Sequence, residues 1–113
     1  MTRKKSFDLQ ETFREACALA DTAFTYRFVG RERESAEYYA QAKKSADLCV
    51  DALPDDAPSK PMAIQAAARF AFDAGQIAEA LRLVSYGESL PLTDRGVAEF
   101  GALRLVISQS ISN

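Results

Sequence analysis

Apolar residues recur along this chain at helical spacing, in five blocks punctuated by glycine and proline. In the first block Leu9, Phe13, Ala16 with Cys17, Ala20, and Ala23 with Phe24 recur every three or four residues. That is one face of a helix, not the period-two alternation of a strand. Ser6 is placed to cap it, with Asp8 and Glu11 in the favourable first turns, so the spacing predicts a helix from Ser6 to Phe28 ended by Gly30. A second block, Glu32 to Leu53, carries Ala36, Tyr39, Ala42, Ala46, Cys49 and Val50 on one stripe and stops at Pro54. Pro54 to Pro58 reads as a loop by turn chemistry.

Ser59 can cap a third helix reaching Ala74, with Pro61 tolerated in its first turn and Ile64, Ala67, Ala68, Ala71 and Phe72 inward. Gly75 breaks it. A fourth helix is expected from Gln76 to Ser85 or Tyr86, ended by Gly87 and Pro91. Thr93 or Asp94 can cap a fifth, carrying Val97, Phe100, Leu103, Leu105, Val106 and Ile107, with a polar tail from Ser108 to Asn113 expected to fray. No strand is expected. Short loops make neighbouring helices antiparallel. The expected architecture is all-α and one domain: a flexible 1–5, a long hairpin over 6–53, a second hairpin over 59–87 and a capping helix over 93–108. Such a cap is expected because a stack of hairpins leaves an apolar face at its end.

The two hairpins align on Gly30 and Gly75, 45 residues apart. Ala23 and Ala68 lie seven positions before the glycines; Ser35 and Ala80 lie five after, Tyr39 and Val84 nine after, Ala42 and Gly87 twelve after. Small residues let antiparallel helices approach closely, while larger ones fill the gaps between them. This pattern resembles the tetratricopeptide repeat, over residues 16–92. Ala23, Tyr26, Gly30, Tyr39 and Ala42 stand at its positions in the first copy, and Ala68, Gly75, Ala80 and Gly87 in the second. The copies are longer than that family's repeat of about 34 residues, and neither has its tryptophan. The resemblance implies a right-handed array. It also implies a non-enzymatic protein-binding role, with a peptide or helix held in a shallow groove lined by the first helix of each hairpin. By the family's pattern the groove positions are Cys17, Ala20, Phe24 and Arg27, then Met62, Gln65, Arg69 and Phe72. Phe24, Arg27, Gln65, Arg69 and Phe72 are the residues expected to meet the partner.

Composition removes other chemistry. The chain has no histidine, so histidine-dependent triads and histidine-ligated zinc are excluded. No glycine-rich phosphate loop follows a strand, since Gly96 and Gly101 lie within the fifth helix, where they read as points of close packing. Neither a catalytic residue nor a cofactor or metal is expected. The net charge of −2 and the dispersed basic residues argue against nucleic acid, and no apolar run is long enough for a membrane span. Cys17 and Cys49 are expected to be buried, reduced thiols, as suits a cytoplasmic protein. If the first hairpin folds about Gly30 and Arg31, Cys17 faces Lys44 and Cys49 is displaced by roughly 7–8 Å along the axis. The cluster Phe24, Tyr26, Phe28, Tyr38 and Tyr39 spans more than one helix face, so packing against the third helix should cover most of it. Leu105, Val106 and Ile107 form a run too wide for one helix stripe. An alternative role follows from that run: a structural or regulatory homodimer, or an accessory subunit, joined through the Val106 and Ile107 region.

Overall fold

The computed structural model describes residues 7–112. It consists of α1 (Leu9–Phe28), α2 (Glu32–Ala52), α3 (Lys60–Asp73), α4 (Ile77–Glu88) and α5 (Asp94–Ser112), with no strand among the described residues. Asp8, not Ser6, starts α1, because its carboxylate accepts the Glu11 N–H at 3.0 Å. Ser6 lies outside the described residues. Thr93 starts α5 in the same way, its hydroxyl accepting the Gly96 N–H at 3.1 Å.

Gly30 and Gly75 close α1 and α3 with the same turn. Their φ angles are +83° and +84°, the left-handed region that a Cβ disfavours. Gly30 N–H donates to the Arg27 carbonyl at 3.0 Å and Arg31 N–H to that of Tyr26 at 2.8 Å. Gly75 and Gln76 repeat both bonds to Phe72 and Ala71 at 3.0 and 2.8 Å. This is a Schellman motif used twice, and it satisfies the last carbonyls of each helix. The small residues matched by the sequence alignment are buried in both copies: Ala23 and Ala68, Ser35 and Ala80, Ala42 and Gly87.

The hairpin of α1 and α2 is antiparallel. The Ser35 hydroxyl donates to the Ala23 carbonyl at 2.8 Å near the turn, and the Cys49 thiol to the Leu9 carbonyl at 3.8 Å at the far end. Both contacts keep a single register, which sets Cys17 opposite Gln41 rather than Lys44. Both contacts centre the pairing on Val29, one to two residues before a fold point at Gly30 and Arg31, which moves the partner of Cys17 by three positions. Both cysteines are free; Cys49 is buried as expected, but Cys17 is exposed. A helix only partly covered by its partner leaves that side of α1 open.

Each helix packs on its neighbours in the chain, and α3 also touches α5. The molecule is a plate of 56 × 36 × 20 Å. Its core is rich in alanine: Ala46, Ala67, Ala68, Ala71 and Ala80 are fully buried around Ile64, Val84, Phe100 and Ile107. Gly87 does not end α4. The helix continues to Glu88, and a Cβ on Gly87 would overlap the Phe100 ring, so this glycine exists to admit α5. Gly96 is buried against Leu92, whereas Gly101 has nothing within 4 Å and faces outward. The polar tail does not fray at Ser108: α5 runs on to Ser112, and the Ser110 and Ser112 hydroxyls bond back to the Ile107 and Ser108 carbonyls.

Charged side chains fasten the second hairpin onto the first. Lys60 is buried and donates to the Val50 and Leu53 carbonyls, each at 2.7 Å, closing the C-terminus of α2. Burial presses its pKa down, but the bonds to Tyr86 and Asp55 outweigh this and hold it above the ordinary lysine value. Lys43 on α2 bridges Asp47 and, on α4, Glu79.

Candidate functional site

The order of packing puts α1, α3 and α5 along one side of the plate. Phe13 of α1, Met62, Gln65 and Arg69 of α3, and Glu99 and Val106 of α5 line a single cavity of about 460 Å³. Two further cavities, each of about 590 Å³, open beside it. One shares Phe13 and Met62 and adds Arg14, Cys17 and Cys49; the other shares Met62, Gln65 and Glu99 and adds Asp55, Asp56 and Arg95. Met62 lines all three, which makes them one groove with Met62 at its centre. Its floor is apolar and open to solvent: Met62 is 56% exposed and Val106 45%. Leaving large apolar side chains uncovered forgoes their burial energy, about 25 cal/mol per Å². Contiguous exposure of this kind marks interaction surfaces.

The five residues singled out from the sequence separate into groups. Gln65 and Arg69 line the groove. Phe24 is 62% exposed on α1 and lines none of the three cavities. Arg27 is committed within the fold: it donates to the Asp73 carbonyl at 2.8 Å, pairs with the Asp73 carboxylate at 3.4 Å and lies 4.9 Å from the Tyr39 ring centre. It joins the ends of α1 and α3. Phe72 is half-buried and packs against the core. The aromatic cluster also divides. Tyr39 is buried and Tyr26 stacks on Tyr38 with ring centres 5.3 Å apart, but Phe28 is 82% exposed, so α3 covers less of the cluster than expected.

On α5, Ile107 is fully buried and Val106 faces the groove. The large apolar side chains that α5 leaves outside the groove are Val97 at 59%, Leu105 at 58% and, in its last turn, Ile111 at 58%; Val97 and Leu105 lie four residues either side of the open Gly101. An interface through Ile107 is therefore closed off by the fold.

Sequence reasoning missed Phe13, Arg14 and the whole α5 wall as groove residues. Arg14 lies three positions before Cys17, on the same side of α1, so the helical period held its signal. The contribution of α5 depends on its docking against α3 and α4, which no local pattern encodes.

Ion pairing divides the arginines sharply. Arg27, Arg31, Arg33, Arg82, Arg95 and Arg104 each hold a carboxylate. Arg14 and Arg69 hold none among the described residues, and both line the groove. The Cys49 thiol is pushed up by burial, which keeps it protonated and unreactive. Among the described residues no group of three or more acidic or cysteine side chains is placed to hold a metal ion, and no helix is long and apolar enough to cross a membrane. Comparison of the chain with protein-family models, with curated proteins and with solved structures found no match.

Proposed function

We propose that this chain is a non-enzymatic protein-interaction module of tetratricopeptide-like type, which holds a peptide or helix in the groove between α1, α3 and α5. The observation that carries the reading is the open apolar floor at Met62, reached from all three helices. The Schellman turn at both Gly30 and Gly75, with buried small residues at matched offsets from each, supports the repeat comparison. The two free cysteines agree with a cytoplasmic setting. The groove is shallow, which suits weak or transient binding.

Affinity capture from a native lysate tests this, with Met62→Glu as the disabling variant. Leu48→Glu on α2, another exposed apolar residue outside the groove, is the control. A specific partner lost with the first and kept with the second is the expected result. A partner indifferent to Met62→Glu, or none, would sink the reading.

The outer face of α5 favours a second role, a homodimer. Val97, Gly101 and Leu105 form a stripe symmetric about its glycine. Two copies crossing antiparallel there would set each valine against the other copy's leucine. Light scattering of the wild type and Leu105→Glu decides it: dimers that dissociate in the variant support this role, and a monomer at every concentration removes it.

A further inference from the structure

We propose that the ligand of the groove is an acidic amphipathic helix, whose side-chain carboxylates meet Arg14 and Arg69 on either side of its apolar stripe. This rests on the groove reading and adds the chemistry of the partner. Six of the eight described arginines pair with a carboxylate of this chain, Arg33 and Arg95 only across 3.9 and 3.7 Å on exposed side chains, and the two left over both border the apolar floor. Lys44, the one described lysine without an ion pair, sits on α2 and lines none of the groove cavities. Free guanidiniums in water need no partner. Once a ligand displaces that water the effective dielectric falls, and a bidentate carboxylate becomes the favoured occupant. The carboxylates already lining the groove do not serve: Glu99 is held by Arg95 at 3.7 Å, and Asp55 by Lys60 and Tyr86. Asp56 has no ion pair in the neighbouring cavity, and it repels an acidic ligand from the α5 side of that end.

The repeat sets the spacing. Matching Gly30 to Gly75 brings Arg14 level with Ser59, so Arg69 lies ten positions further along α3, on the order of 15 Å at 1.5 Å per residue. A helix laid along the groove covers that rise in three turns, so its two acidic residues belong about eleven positions apart. Apolar residues between them would face Phe13, Met62 and Val106.

The test is selection from a displayed library of amphipathic helices of about 16 residues, followed by binding of the selected peptides with amidated C-termini. Asp or Glu should be enriched at two positions about eleven apart. Arg69→Gln or Arg14→Gln should weaken the selected peptide about tenfold. Exchanging the matching peptide Glu for Gln should then cost nothing more. Selected helices that need Met62 but show no acidic preference would overturn this inference and leave the groove reading standing. Binding lost on amidation, which marks a terminal carboxylate as the ligand, would also overturn it. Binders indifferent to Met62→Glu, or no binders, would sink both.

Discussion

Gly87 shows how one residue admits a neighbouring helix. The Phe100 ring occupies the space where a Cβ on Gly87 would stand, and it is fully buried, so it has nowhere to swing. Gly87→Ala should lose about 1–3 kcal/mol of unfolding free energy in urea, despite the better helix propensity of alanine. Adding Phe100→Leu should recover part of that loss, because the two sites share one space. An unchanged or raised stability would show that α5 can retreat. Glu79 sets the acid limit. The Arg82 guanidinium first, then the Lys43 ammonium, hold its carboxyl down at about 2, against burial that pushes the other way. A carboxyl depressed in the folded state adds stability above its unfolded pKa and loses it as pH falls through its folded one. Stability should therefore decline between about pH 5 and pH 2, and Glu79→Gln should flatten that decline. The pH dependence of the urea midpoint for both proteins is the measurement, and parallel curves would count against this account.

At the scale of elements, the recurring unit is helix, Schellman turn, helix. Gly30 and Gly75 have open space around them, so only the positive φ opposes a side chain there. Alanine at either position should cost about 1–2 kcal/mol, nearly the same at both, and the double variant should show the sum. Unequal costs would mean that the turns are held by more than their backbone. This unit was legible in the sequence. The helical period, the glycine stops and the small residues at matched offsets are all local, and the helices begin and end within a few residues of where they predict. Gly87 was misread as a stop for the same reason: a glycine that ends a helix and one that admits a neighbour look alike until the neighbour is in place.

The whole molecule is a linear array, with α3 at its centre between α2 and α4 and in touch with α5, while α1 has only α2 as its main neighbour. Stability in such an array is a sum over neighbours, and the ends open first. Native-state hydrogen exchange should find the slowest amides in α3, and faster exchange in the first turn of α1 and the last turn of α5. Equal protection along the chain would mean that it opens only as a unit. The same array makes the groove, since alternate helices face the same side. The sequence by itself determined the number of helices, their limits to within a few residues and the two glycine turns, because period, caps and left-handed glycines act over a few residues. Only the tertiary structure decided that Arg27 is spent on Asp73, that Ile107 is buried, that Cys17 is not, and that Arg14 and Arg69, beside Met62, hold no carboxylate among the described residues. Each of these depends on which side chain arrives from another helix, and the repeating pattern of one helix carries no record of that arrival.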